Sequence, residues 1–407
     1  MVTRRNLFAA SLLASSSRLF GATTSRYTEI EARLSRGDLK DIHKADLPTP
    51  AMVVDLDIFE RNMRKMADHC KTTGIQIRSH VKVHKSPEIA RRQIAHGANG
   101  LTCATVAECE LMARAGLKGL LLTRQAASKN NIARVVALAK KEPTFGTVVD
   151  DPITAEWLES AAASEGVTVR TVVDVFAGSK RHGMQAGQPA IDLAKQVDRS
   201  KHLKLFGLMG YAGGAAHVPG WNERKNKSVS DLAGLRETVA TAKKAGLPIE
   251  IVTGGSTGTY NIDSETKDLT ELQAGSYVFM DTLYKVIGGK TDAQAYTDFG
   301  MSLTVLTTVI SARHPNLCTI DAGNKALLRT TDEVKGRPDM KVINQGAEYG
   351  GITWERDASG FKLGDRVDVY PSNLDMSTNV YDRYYVARGE KIVDVWPIMG
   401  RSGSAQR

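Results

Sequence analysis

Five of the eight residues from Arg78 to Lys85 are basic or imidazole: Arg78, His80, Lys82, His84 and Lys85. Valines fill the gaps of an apolar run that starts at Ile75, so the segment reads as a strand. Alternation then puts His80, Lys82 and His84 on one face. A lysine facing a packed interior is destabilising unless it loses its proton, finds a partner or bonds covalently. A Schiff base removes the charge, and lysine forms one readily where water is scarce. Taken alone, the segment also fits a solvated basic edge strand.

A second group is Val252-Thr253-Gly254-Gly255-Ser256-Thr257-Gly258-Thr259, directly after an apolar run. Glycines let backbone N–H groups close around an anion, and Ser and Thr hydroxyls add donors. Here Gly254, Gly255, Ser256, Thr257 and Gly258 form a candidate phosphate cup. Ordinary loops favour the same residues, so the cup gains meaning only beside Lys82. Further on, Glu271 to Tyr277 leads toward the cup, where the Tyr277 hydroxyl is expected to reach the phosphate. Arg181, in Asp174 to Met184, is a donor for a ring oxygen of a cofactor. Tyr211 lies in Leu208 to Gly214, and His217 follows as a candidate acid/base imidazole.

These residues need a frame that gathers them. From Ala51 to Met280 short apolar runs alternate with amphipathic stretches. The runs are 51–56, 75–83, 100–104, 119–122, 147–149, 171–175, 205–209, 249–252 and 277–280. Helical spacing marks 58–70, 106–115, 131–140, 155–163, 190–197 and 231–245. Continuous apolar runs indicate strands buried on both faces. About eight such units predict an α/β fold, a parallel (β/α)8 barrel over 45–285. In a barrel, an early-strand lysine and a late-strand phosphate cup are neighbours at one end, about the length of pyridoxal phosphate apart. Past Gly288-Gly289 the helical spacing stops, and strand-like pieces follow at 303–310, 317–321, 366–370, 384–387 and 391–395. A second, smaller β-rich domain is expected over 290–401, with a contribution from 26–54.

A hydrophobic content of 42% and a charged content of 24% suit a globular chain with a substantial core. The net charge of +9 is scattered, without Lys/Arg blocks or basic-aromatic interleaving, so nucleic acid is not an expected partner. Cys70, Cys103, Cys109 and Cys318 share no metal-binding spacing and read as buried thiols. Arg4-Arg5, the apolar run Leu7 to Ala14 and the serines after it have the layout of a twin-arginine export leader over 1–25. Periplasmic residence follows as an expectation. The apolar run is too short to span a bilayer, so no stable membrane anchoring is expected.

Taken together, the motifs resemble the D-threonine aldolase and D-serine dehydratase family, pyridoxal-phosphate enzymes of the alanine-racemase-like fold (fold type III). The resemblance runs from about Leu47 to Arg401. Arg78 to Lys85 matches the family's R-P-H-x-K-T-H-K, with Ser79 in place of Pro. Arg181 and Gly183, then Gly207, Tyr211 and Gly213, match the next elements in order. Gly254 to Thr259, then Glu271, Gly275 and Tyr277, then Asp321 to Lys325, match the rest. The resemblance implies that Lys82 is the Schiff-base lysine and His217 the catalytic histidine. It implies a small D-amino acid as substrate, retro-aldol cleavage of a D-β-hydroxy amino acid, and a homodimer. D-serine dehydratase-type β-elimination and racemisation stay open, as does a non-catalytic pyridoxal-phosphate-binding protein.

One element departs. The family's metal-binding P-N-H-x-C/D-x-T-x-N appears as Pro371 to Asn379, with Asn373 for the His and Asp375 for the carboxylate, and its E-H-G appears as Glu348-Tyr349-Gly350. Asp375 and Asn373 are therefore candidate ligands for a hard divalent cation, Mg or Mn, rather than zinc.

Overall fold

The computed structural model describes residues 28–328, 332–356 and 359–401. Its first strand, β1 (Ala51–Asp55), belongs to the second domain. The barrel strands are β2 (Gln76–His80), β3 (Gly100–Cys103), β4 (Leu120–Leu122), β5 (Gly146–Val149), β6 (Val169–Asp174), β7 (Leu203–Gly210), β8 (Ile251–Gly254) and β9 (Glu271–Leu272). All pair in parallel with their neighbours, and β9 closes on β2 through Gln76 opposite Glu271 and Ile77 opposite Leu272. The eight-stranded parallel barrel expected from the alternation is therefore present.

The run at 51–56 is a strand outside the barrel, antiparallel to β10 (Leu303–His314), in the second domain to which 26–54 was expected to contribute. One run was placed differently by the sequence. The run at 277–280 is largely a short 3-10 turn, Ser276–Val278, and two-residue β9 takes the closing position instead. Helix 58–70 extends to Leu56–Thr73, because the Asp55 side chain accepts from the Ile58 amide at 3.1 Å and Gly74 ends it at φ +74°. That helix buries Phe59, Met63 and Met66, each worth about 1.5–3 kcal/mol against exposure.

Inside the barrel, Leu121, Val148, Val172, Phe206 and Met209 form a compact apolar cluster. This plug leaves only the C-terminal strand ends open for ligands. The remaining strands are β11 (Leu317–Ile320), β12 (Glu333–Val334), β13 (Lys341–Asn344), β14 (Gly350–Thr353), β15 (Arg366–Tyr370), β16 (Arg383–Arg388) and β17 (Lys391–Pro397). They join β1 in a nine-stranded sheet of order β13-β14-β11-β10-β1-β16-β17, with β15 on β10 and β12 on β15. Ile30, Leu34, Ile42, Leu47 and Val53 pack there against Leu306, Tyr385 and Ile392. All four cysteines are free, and Cys103, Cys109 and Cys318 are buried. No helix among the described residues is long and apolar enough to cross a membrane. Residues 1–25, read as an export leader, lie outside the described residues.

Candidate active site

Strand β2 stops at His80, and Val81–Val83 turn as a single 3-10 helix. Lys82 therefore stands in the first turn beyond the strand, at the open barrel end, and not on a strand face. The expected alternation fails here for a local reason. His80 Nδ1 accepts from the Lys82 amide at 3.3 Å, which bends the chain. His84, expected beside Lys82, is instead fully buried: its Nδ1 accepts from the Ser86 amide and its Nε2 faces Gln93 Oε1, both at 3.1 Å.

The Lys82 amine is 2.9 Å from Asp375 Oδ2. Burial favours its neutral form, but the Asp375 carboxylate and the Tyr211 hydroxyl outweigh that and raise its pKa. His80 is driven well below its ordinary pKa by burial and by the Lys82 charge, so it stays neutral.

Lys82 opens onto a cavity of about 480 Å3, within the usual range for small-molecule sites. Its lining includes His80, Arg181, Tyr211, Gly255, Ser256 and Thr257, so the lysine and the glycine cup share one space. The cup depends on missing side chains. A Cβ on Gly254 would come within 2.1 Å of Gly210 O, and one on Gly258 within 2.0 Å of Ala216 O. Gly255 has φ +75°. Gly254 and Gly258 thus shape the turn from behind, while Gly255 to Thr257 face the cavity. The amides of Thr257 and Gly258 donate to no acceptor among the described residues. Ser256 Oγ pairs with Thr259 Oγ1 at 3.0 Å, and Thr259 Oγ1 donates to Asp263 at 2.6 Å, which fixes the turn.

Tyr277 differs from expectation. Its hydroxyl lies 3.2 Å from Ser79 Oγ and 3.5 Å from Gln93 Nε2, beneath the cavity and not in it. Its backbone amide contacts the cup, donating to Thr257 Oγ1 at 3.0 Å. With Ser79 on the adjacent buried strand β2, the phenol has a polar partner outside the cup.

The Arg181 guanidinium sits 5.6 Å from the Tyr211 ring centre on the cavity wall. His217 stacks on Tyr284 at 4.3 Å between ring centres. Burial and the charge of Lys82 lower its pKa, and it is not among the residues that line the Lys82 cavity.

Sequence reasoning missed two wall residues, His182 and Gln125, and the buried carboxylate Asp174 that joins them. His182 lines the cavity and its Nδ1 is 2.5 Å from Asp174 Oδ2, which also accepts from Gln125 Nε2 at 2.8 Å. Burial raises the Asp174 pKa despite the bonds from His182 and Gln125. Asp174 at a strand end, eight residues before His182, was the available signal, since strand ends face the barrel mouth.

The donor set fits pyridoxal phosphate: a lysine amine, a cup of free amides with hydroxyls, and an arginine on the wall between them. It does not fit a divalent cation. The Asn373 side-chain oxygen is spent on the Met376 amide at 3.1 Å, capping the helix Leu374–Ser377. Asp375 is paired with Lys82, Glu348 with Lys325, and Tyr349 is exposed. Among the described residues no three His, Cys, Asp or Glu side chains converge as ligands. The two expected ligands, Asp375 and Asn373, are thus each engaged elsewhere, one by the Lys82 amine and the other by the Met376 amide.

Comparison with known proteins agrees with this geometry. Residues 54–283 match the family described as alanine racemase, N-terminal domain, and residues 302–387 match the serine dehydratase domain. The chain is 33% identical to the 3-hydroxy-D-aspartate aldolase of Paracoccus denitrificans (strain Pd 1222), over 89% of this chain and 94% of that protein. It is 30% identical to the D-threonine aldolase of an Arthrobacter species, over 88% and 94%. The crystal structure of D-threonine aldolase from Filomicrobium marinum superposes with a TM-score of 0.84 at 31% identity, covering 88% of this chain and 97% of that one.

Proposed function

This chain belongs to the alanine racemase N-terminal domain family, and from there we propose that it is a pyridoxal-phosphate-dependent carbon–carbon lyase. Its substrate is a D-configured β-hydroxy amino acid, and its products are glycine and an aldehyde. The observation that carries this is the shared cavity: the Lys82 amine and the Gly255–Thr257 turn open onto the same space. Aldolases 33% and 30% identical along almost the whole chain support the reaction type.

When bound, pyridoxal phosphate supplies an electron sink for the pair left on Cα as Cα–Cβ breaks. Lys82 would hold it covalently through Nζ. Ser256, Thr257 and the free amides of the cup would take the phosphate, with Gly254, Gly255 and Gly258 giving the close backbone approach. Arg181 would donate to the ring oxygen, steadied by its contact with Tyr211. His217, neutral because burial and Lys82 lower its pKa, takes the β-hydroxyl proton as the carbonyl forms. That proton must return to Cα for glycine to leave. Cavity walls of Met209, Ala104 and Val83 limit water around these transfers.

The test is chemical trapping. Pyridoxal phosphate is added, the adduct is reduced with borohydride, and the modified peptide is identified by mass spectrometry. Modification at Lys82, absent in Lys82→Ala, is expected; modification elsewhere with an unlabelled Lys82 contradicts the assignment.

Periplasmic residence belongs to the same proposal. It is supported by Arg4-Arg5 ahead of the apolar run, and a twin-arginine route carries folded protein with its cofactor aboard. Cell fractionation of the wild type against an Arg4→Lys, Arg5→Lys double variant checks it, with the variant retained in the cytoplasm. The homodimer rests on the family resemblance, and light scattering of the purified protein tests it.

A further inference from the structure

Lys85 is buried, with 4% of its surface exposed, three residues after Lys82. An ammonium has three hydrogens, and here each has an acceptor: Lys82 O at 2.5 Å, Asp375 O at 3.1 Å and Thr378 Oγ1 at 2.8 Å. Two of these lie in the second domain, on the turn that carries Asp375. The Lys85 backbone is equally committed. Its amide donates to Val81 O at 2.8 Å, and its carbonyl accepts from Met399 at 2.9 Å and Gly400 at 3.1 Å. It holds φ +52°, a conformation that a lysine keeps only where its surroundings over-determine it. Three chain segments thus meet at this one residue.

The Asp375 carboxylate that Lys85 helps to place is engaged by Lys82 through Oδ2, while Oδ1 is enclosed with no donor among the described residues. The amide oxygen two residues earlier, on Asn373, is turned into the cap of the short helix.

We propose that an ammonium–carboxylate pair takes the place where the relatives' motif carries metal ligands. Asp375 is the counter-ion of Lys82, and Lys85 is the positioning residue that sets it there. This deepens the function proposed above and rests on it. An ammonium clamped against a carboxylate has no free electron pair, so Lys82 attacks an aldehyde only after its proton has passed to solvent, and water leaves as the C=N bond forms; by favouring the ammonium, Asp375 slows that attachment. Lys85 acts only through that pair, by pinning the 374–378 turn to the 81–85 turn. Turnover then needs no divalent cation, because no ligand set remains to bind one.

The test has two arms. In the first, holoenzyme is stripped with EDTA and assayed on D-threonine and 3-hydroxy-D-aspartate. The rate is expected to stay within about twofold; loss of turnover restored by Mg or Mn overturns the proposal. In the second, attachment of pyridoxal phosphate to Lys82 is timed in cofactor-free protein for wild type, Asp375→Asn, Lys85→Met and the double variant. Each single change is expected to speed attachment at least about threefold by freeing the amine, and the double variant should be no faster than the faster single, because both changes cut one pair. Damage to the fold would slow attachment instead. Thr378→Val, a milder cut in the same clamp, should move in the same direction by less. Independent, additive effects, or slowing in Asp375→Asn, overturn the inference while Lys82 still attaches the cofactor. If wild-type Lys82 attaches none, the parent function falls, and this inference with it.

Discussion

The hydroxyls of Ser79 and Tyr277 lie 3.2 Å apart, beneath the floor of the cavity and sealed from it. Ser79 is fully buried and Tyr277 nearly so, and burial pushes the phenol up to about 12, so it stays protonated. The phenol therefore serves the fold. Tyr277→Phe should lower unfolding free energy by about 1 kcal/mol. Cofactor affinity should change by less than about threefold, below 1 kcal/mol. Urea unfolding and a fluorescence titration with pyridoxal phosphate check both halves.

The cup should be less forgiving than the phenol. An added methyl at Gly258 meets a backbone carbonyl at 2.0 Å, and backbone cannot swing aside as a side-chain end can. Gly258→Ala is expected to weaken the cofactor by about tenfold or more, equivalent to about 1.4 kcal/mol. Gly214→Ala is the control, since its nearest neighbours stand at 3.9 Å. The same titration reads both variants.

His84 makes a prediction in pH. Because Nδ1 accepts from the Ser86 amide, the ring proton sits on Nε2, and burial pushes the imidazole down to about 3. Its folded pKa is therefore below its unfolded value. The stability it contributes is complete above about pH 6.5 and is lost as pH falls toward the folded pKa. Over that window one proton is taken up on unfolding, so the slope is about 1.4 kcal/mol per pH unit. Urea unfolding at pH 7, 6 and 5 should show this loss in the wild type and a shallower slope in His84→Gln.

His217 should matter for rate rather than for binding. Removing a general base costs about 10²–10⁴ in rate, so His217→Asn should lower kcat in that range with KM little changed. Since burial and the Lys82 charge depress its pKa, the acid limb of kcat/KM should lie below that of an ordinary histidine. Activity then persists to lower pH than a solvent-exposed imidazole would permit. A pH–rate profile of the wild type checks the limb, and steady-state kinetics of the variant check the split.

Residue types and order were enough to pair Lys82 with the glycine cup, because a buried lysine and an anion-binding turn each need a partner. Strand alternation misled at Lys82, since a side chain that accepts from the amide two residues on, as His80 does, can end a strand without any Gly or Pro to mark it. Barrel closure was also misplaced. Two residues carry no period, and Glu271 is held in place by Arg78, which meets it at 2.8 and 2.9 Å from the other edge of the closing strand pair. The Asn373 substitution was legible, but its consequence depends on the Met376 amide, a contact that only the fold reveals.

The central claim is that this barrel breaks the Cα–Cβ bond of a D-β-hydroxy amino acid. Protein loaded with pyridoxal phosphate is given D-threonine and 3-hydroxy-D-aspartate in turn, and glycine, aldehyde, ammonia and keto acid are measured together. Equal amounts of glycine and aldehyde, with none from the L-isomers, are predicted. Keto acid with ammonia, or no product from either D-substrate, contradicts the account.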